Sequence, residues 1–113
     1  MKYKLTTNTK QYQDVTLYQI EALQDILKYN VNAGALGGWI QSEANLSQNN
    51  NAWVSGDAKV FGDAWVSDNA EVFGNAKVFG DAKVFGNAKV FGNAKVFGDA
   101  WVSDNAEVSG DAK

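Results

Sequence analysis

Valine recurs every six residues over the second half of the chain. From Val54 to Val108 the ten valines keep this spacing without a break, and an alanine stands two positions before each of them. Within each six-residue unit the alanine and valine alternate with variable residues, the pattern of a strand with one buried face. Each unit closes with Gly-Asp, Gly-Asn or Asp-Asn, residues that tolerate positive φ and turn the chain tightly. Each unit therefore predicts a strand of about four residues followed by a corner.

Strands this short cannot bury an inner face alone, so equal strands with equal corners are expected to close into a coil and stack. Three units per coil give a triangular prism whose interior admits small side chains such as Ala and Val. Parallel neighbours in the stack would lie about 4.8 Å apart. A helix is disfavoured because its repeated glycines would cost about 1 kcal/mol each. The regular valines and the 45% hydrophobic content oppose a disordered chain.

The same period continues upstream of the valines. Ile40 and Leu46 are six residues apart, with the small residues Gly38 and Ala44 two positions before them. Two extra residues precede Val54 in the polar stretch SQNNN, which predicts a corner loop. The predicted coils are Ile40/Leu46/Val54, Val60/Val66/Val72, Val78/Val84/Val90 and Val96/Val102/Val108. This frame predicts about four coils of 18 residues, with residues 110–113 beginning a fifth.

Composition narrows the chemistry that the chain can support. The 113 residues include no cysteine, histidine, arginine or proline. The sequence therefore lacks disulfides, thiolate ligands and the commonest general base, and we expect no catalytic, cofactor or metal site. The formal net charge is −3, which disfavours a nucleic-acid partner. Because no signal peptide and no run of about 18 apolar residues is present, we expect no membrane association and a cytoplasmic or virion-associated protein.

The hexads resemble those of hexapeptide-repeat, left-handed β-helix proteins, in which an aliphatic residue fills each face and a small residue stands two positions before it. The segments KYKLT, TLYQIEALQDI, VNAGALGGWIQSEANLS and NAWV look like the start of a group of uncharacterised bacterial and phage β-helix proteins. The resemblance covers essentially the whole chain and is most specific in LGGWIQSEANLS. It implies an all-β, single-stranded triangular left-handed β-helix and no assigned activity. The left hand comes from the resemblance alone, because crossovers are usually right-handed.

By the same resemblance, residues 1–37 look like a small β-rich cap, followed by the β-helix over 38–113. Tyr3–Thr6 and Val15–Leu23 would be strands joined by the polar TNTKQYQD. A short helix over 17–28 is the alternative, because its leucines and isoleucine also approximate helical spacing. A cap makes physical sense because the first coil otherwise exposes unpaired backbone and apolar side chains. The sequence stops inside a hexad, so either the chain continues or an open edge pairs with another molecule.

The outward positions carry the information about function, and stacking by 18 residues sorts them into three faces. All six phenylalanines fall at such positions, and contiguous exposed aromatic side chains usually mark a contact surface. The alternative is that the rings stack on one another, with lysine stems laid over them. The candidate interaction surface consists of Phe61, Phe79, Phe97, Lys59, Lys77, Lys95, Phe73, Phe91, Trp65 and Trp101.

Charged columns run beside these aromatic residues. The stacked lysines repel one another and would attract an acidic surface, although a solvated face with flexible lysine stems is the favoured explanation. Another column alternates in sign and should stabilise stacking modestly: it is headed by Trp53 and contains Glu71, Lys89 and Glu107. A corner column of Asp63, Asp81 and Asp99 offers oxygen ligands for calcium, although turn formation explains the same residues.

Together these features predict a non-catalytic structural or protein-interaction solenoid, of phage or prophage origin by the resemblance. We expect a homo-oligomer, a dimer or trimer, that forms through the outward phenylalanines or the open edge. A carbohydrate- or receptor-binding surface is the alternative, because aromatic and polar rows suit stacking on sugars. An acyltransferase-like relict is the weakest hypothesis, because such hexapeptide enzymes typically use a catalytic histidine and long loops. An ice-binding solenoid would need threonine rows, and the repeats contain no threonine.

Overall fold

The computed structural model describes residues 1–110, which form a β-solenoid topped by an antiparallel cap. The strands are β1 Tyr3–Tyr12, β2 Val15–Ala22, β3 Leu36–Ile40, β4 Trp53–Val54, β5 Lys59–Val60, β6 Trp65–Val66, β7 Glu71–Val72, β8 Lys77–Val78, β9 Lys83–Val84, β10 Lys89–Val90, β11 Lys95–Val96, β12 Trp101–Val102 and β13 Glu107–Val108. Two short 3-10 turns lie at Leu27–Tyr29 and Glu43–Asn45. Residues 111–113 of the predicted fifth coil lie outside the described residues.

Three sheets form the three sides of the prism. Face one contains β3, β5, β8 and β11, face two contains β6, β9 and β12, and face three contains β4, β7, β10 and β13. Neighbouring strands of the repeats are parallel and pair 18 residues apart, as Lys59 does with Lys77. The predicted all-β triangular solenoid of about four coils is therefore confirmed.

The core is a column of alanines and valines inside the prism. Both residue types are fully buried through the middle coils, as at Ala76, Val78, Ala82 and Val84. Burying one valine side chain stabilises the fold by about 1.5 to 3 kcal/mol relative to leaving it exposed. The backbone ladder also runs through the corners, because the Asp81 N–H donates to the Gly98 carbonyl at 2.9 Å. Stacking of identical coils thus satisfies the backbone and buries the inner face together.

The corners explain the repeated Gly-Asp and Gly-Asn pairs. Gly80 has a φ of 69°, and a Cβ added there would lie 2.9 Å from the backbone nitrogen of Gly98 in the next coil. Asp68 takes the same left-handed conformation with a φ of 59°. Its Oδ2 accepts a hydrogen bond from the Gly86 N–H at 3.1 Å. This corner without glycine therefore uses aspartate, which tolerates the left-handed region and whose side chain bonds the backbone of the next coil.

The first coil departs from the regular repeat. Trp39 pairs with Lys59 rather than with a residue 18 positions on, because the predicted corner loop SQNNN adds two residues. The prediction that Ala44 points inward is wrong, since Ala44 is exposed within a 3-10 turn while its neighbour Asn45 is buried. The Asn45 amide donates to the carbonyls of Ala64 at 2.9 Å and Gly62 at 3.2 Å. This side chain thereby bonds backbone groups of the second coil.

The cap is a long antiparallel hairpin that continues face one. β1 pairs with β2, and β2 pairs with β3, so β3 crosses the predicted boundary between residues 37 and 38. The predicted linker TNTKQYQD is largely strand, because β1 runs on to Tyr12 and only Gln13 and Asp14 turn the chain. The alternative helix over 17–28 is wrong, since β2 occupies its first half and only a 3-10 turn follows.

Candidate interaction surface

Face one carries two outward columns side by side, one of lysine and one of phenylalanine. Lys59 pairs with Lys77, which pairs with Lys95. The Phe61 and Phe79 rings stack with centroids 5.1 Å apart, and those of Phe79 and Phe97 with centroids 5.3 Å apart. The rings therefore stack on one another, as one of the two sequence hypotheses expected. Stacking leaves their outer edges available, and Phe97 is 44% exposed.

The cap hairpin covers the upper end of this row. The Tyr12 ring lies 5.6 Å from that of Phe61, tilted by 60°, and Phe61 is only 7% exposed. Phe61 points out of the prism, as predicted. The prediction that it is an open surface residue is wrong, because the Tyr12 ring lies over it. The open part of the row consists of Phe79, which is half-buried, and Phe97.

Tyr12 also relieves repulsion within the lysine column. The Lys59 and Lys77 ammonium nitrogens lie 5.4 Å and 5.6 Å from the centroid of the Tyr12 ring. An aromatic face attracts cations within about 6 Å. Burial lowers the pKa of Lys59, and the nearby charges of Lys10 and Lys77 lower it further. Tyr12 of the cap thus contacts both the lysine column and the phenylalanine column at the upper end of face one.

Face three carries mixed charge, and the cap covers part of it. Lys89 lies 3.7 Å from the Glu71 carboxylate, as the alternating column predicts, and the Phe73 and Phe91 rings stack with centroids 4.9 Å apart. Tyr29 of the cap donates a hydrogen bond to the Asn69 carbonyl. Burial, with a smaller effect of Glu71, raises the pKa of Tyr29 to about 12.

Trp53 heads the outward column of face three but is not exposed. It is 1% exposed because Tyr3 of β1 packs edge-on against it, with ring centroids 6.5 Å apart. Its placement at an open outward position is therefore wrong. Tyr3 in turn donates to the Leu46 carbonyl at 2.6 Å. The cap and the first coil share one core at this point.

Face two is free of these cap contacts. Within residues 1–110, none of the cap's aromatic, cation–π or hydrogen-bond contacts described above reaches Trp65, Lys83 or Trp101. Trp101 is 67% exposed, and its ring meets Phe85 edge-on at 5.8 Å. Beside this column run Ser67, Phe85 and Ser103. The ten predicted surface residues thus fall on three separate faces, and face two is the one without the cap contacts described above.

The sequence alone did not single out Tyr12 and Tyr29, the residues that decide which parts of the faces stay open. Both lie in polar stretches without a repeat, so no register relates them to the solenoid. Their only sequence signal is that they are aromatic residues among polar neighbours. Such residues often bury the ring while the hydroxyl finds a hydrogen-bond partner.

Among residues 1–110 the corner aspartates do not converge on a common point. Asp63, Asp81 and Asp99 are all exposed. Within residues 1–110, no group of three or more acidic side chains converges to hold a metal ion. The amide column beside face three does bond along the stack, since Asn51 donates to the Asn69 side chain at 3.1 Å.

A buried lysine, Lys2, connects the cap to the first coil by hydrogen bonds and makes the stability of the whole fold depend on pH. Lys2 donates to the Ala52 carbonyl at 2.6 Å, and burial lowers its pKa from 10.5 to about 8. Between these values the unfolded chain binds a proton that the folded chain does not, so stability rises with pH. Burial raises the pKa of Tyr3 and Tyr29, so stability should fall again as the pH passes 10.

We therefore expect the melting temperature to rise from about pH 8 to about pH 10 and then to decline. Thermal unfolding followed by circular dichroism measures this profile. In Lys2→Met the rise should shrink, because only the lowered pKa of Lys59 remains. A melting temperature that falls steadily from pH 8 would contradict the assignment.

The fold and its outer faces define a class, a β-solenoid with aromatic and lysine columns on flat sides and an antiparallel cap at one end. In comparison with known proteins, no family model matches the chain, and no curated protein matches it significantly. The resemblance to hexapeptide-repeat proteins, with its left-handed winding, therefore stays a prediction. Within residues 1–110, no helix has the length and apolarity that crossing a membrane requires.

Proposed function

We propose that this protein is a non-catalytic interaction module that binds another protein surface, including that of a second copy, through the flat aromatic faces of its solenoid. The observation that carries this proposal is the exposure of large aromatic side chains on regular sheet faces. Trp65, Phe79 and Phe91 are partly exposed within the stack, and in the last described coil Trp101 is 67% and Phe97 44% exposed. Flat sheets pack face to face at about 10 Å, which suits such surfaces.

The chemistry of the chain supports a non-catalytic role. The sequence contains no histidine, the side chain most often used for proton transfer. It also contains no cysteine, one of the side chains used for covalent catalysis. A cavity in the last described coil is lined mainly by Val96, Phe97, Val102 and Val108. Among the described residues that line it, Lys95 is the one with an ionisable side chain.

The test is the solution mass of the chain and of one variant per face. We expect light scattering to show a mass above that of the 12.2 kDa monomer at high concentration. Phe97→Ser on face one, Trp101→Ser on face two and Phe91→Ser on face three each remove one aromatic side chain. At least one of them should lower the mass while leaving the circular dichroism spectrum unchanged. A monomer at every concentration would contradict self-association.

Carbohydrate binding is the second candidate, and one observation favours it. Trp65 and Trp101 lie in a single column with Lys83 between them, and serines flank both tryptophans. Exposed tryptophan faces beside hydroxyl groups suit stacking on sugar rings. Titration with a panel of soluble oligosaccharides, with Trp101→Ser as the control, distinguishes this candidate from protein association.

A further inference from the structure

The outward side chains of face two alternate in size in a self-complementary way. One column, which we call the tryptophan column, contains Trp65, Lys83 and Trp101, and the adjacent serine column contains Ser67, Phe85 and Ser103. Trp65 pairs in register with Lys83, and Lys83 with Trp101. Each serine therefore stands beside a tryptophan of its own coil, and the phenylalanine stands beside the lysine.

We propose that two copies of this chain pack face two against face two, about a two-fold axis parallel to the solenoid axis. This inference rests on the proposed function and names its partner. Such an axis keeps each coil level with its copy and exchanges the two columns. Trp65 then lies over Ser67 of the second copy, and Trp101 over its Ser103. Lys83 lies over the Phe85 ring of the second copy, a cation–π contact that the symmetry forms twice.

The other orientation of the axis is worse. A two-fold axis perpendicular to the solenoid axis, lying in the plane of the face, would put each column on its own copy with the coils in reverse order. Lys83 would then meet Lys83 of the second copy, and like charges repel. Trp65 would meet Trp101 of the second copy and hold the surfaces apart beside the smaller serines. Size and charge together therefore favour the parallel arrangement.

The other two faces suit this arrangement less well. On face three the same operation would place the Glu71 carboxylate over a Phe73 ring, whose face repels negative charge. On face one the same operation also places a lysine over a phenylalanine in every repeat coil, but it sets no small side chain against a bulky one, and Tyr12 of the cap lies over the upper end. Face two alone pairs bulky side chains with small ones and is free of the cap contacts described above.

The size of face two sets the expected strength of the dimer. Face two is about four residues wide, although only two residues of each coil form its strand, and three coils high, which gives about 13 Å by about 14 Å. A standard stable interface buries about 800 Å² on each partner. Because face two is well below this size, we expect only a weak, reversible dimer. Its detection therefore requires sedimentation equilibrium or light scattering over a wide range of protein concentration.

Three variants in the last described coil test the arrangement. Ser103→Trp places a bulky ring opposite Trp101 of the second copy, so we expect at least a tenfold weaker dimer. In the exchanged variant Trp101→Ser/Ser103→Trp, each tryptophan again faces a serine, and association should return to within about threefold of the original. Ser109→Trp makes the same change on face three and should leave association unaffected. Circular dichroism and thermal unfolding confirm that each variant is folded.

The outcomes separate this inference from the proposed function. A dimer that tolerates Ser103→Trp would overturn the parallel face-two arrangement, because the perpendicular arrangement places that ring opposite Ser67. Association that is lost only in Phe97→Ser or Phe91→Ser would overturn the choice of face two and leave the proposed function standing. A chain that stays monomeric throughout would overturn both the dimer and self-association. Oligosaccharide binding by such a monomer, lost in Trp101→Ser, would then favour the carbohydrate alternative.

Discussion

Val78→Asp is expected to unfold the chain at room temperature. Val78 is fully buried and stacks between Val60 and Val96 of the adjacent coils. An aspartate there would bring a carboxylate into an interior lined by alanine and valine, where no group can bond to it. The loss should be at least about 4 kcal/mol, which is comparable with the entire stability of a small domain. Circular dichroism and thermal unfolding measure the result.

Asn75→Asp is the matched control for this substitution. Asn75 is exposed at a corner only three residues earlier, and Asp57 occupies the equivalent corner of the preceding coil. The new carboxylate stays in water, so its effect on the melting temperature should be small, within about 0.5 kcal/mol. If Val78→Asp melted at the same temperature as this control, the inward assignment of the valines would be wrong.

The interior of the solenoid could be predicted from the sequence because one residue type marks it at a fixed interval. Valine at every sixth position fixes both the face it occupies and the coil it belongs to, and the register of the strands follows. The frame was wrong at residues 44 and 45. There the side chain of Asn45 bonds the Ala64 carbonyl, and this polar contact is specific to one residue rather than to a repeat.

The outward columns could be predicted for the same reason, but their exposure could not. The 18-residue register stacks no repeat residue above Phe61 or Trp53, so it predicts that both side chains are open to solvent. Tyr12 and Tyr3 cover them, and these tyrosines come from a hairpin whose length the sequence did not define. Sequence periodicity thus gives the direction of a side chain, whereas its accessibility depends on non-periodic parts of the chain.

The junction between cap and solenoid depends on Gly37, which lies in the most specific part of the sequence, LGGWIQSEANLS. β3 belongs both to the cap, through β2, and to face one, through β5. A Cβ added at Gly37 would lie 2.6 Å from the Val54 carbonyl oxygen and 2.7 Å from the Ile20 side chain. Glycine is therefore required at position 37, because the backbone of Val54 comes too close to β3 for a side chain to fit. No side-chain rotation could relieve a contact with the Val54 carbonyl oxygen, which belongs to the backbone.

Gly37→Ala is accordingly expected to destabilise the chain by about 2 to 3 kcal/mol, since β3 must move away from the first coil. For a chain of this size the melting temperature should fall by roughly 10 °C. Leu36→Ala is the control in the same strand: Leu36 is 54% exposed, so losing its side chain should shift the melting temperature by only a few degrees. Equal melting temperatures for the two variants would mean that β3 does not pack against Val54 this closely. A selective loss in Gly37→Ala would show that this glycine sets the distance between the cap and the first coil, and therefore how Tyr3 covers Trp53.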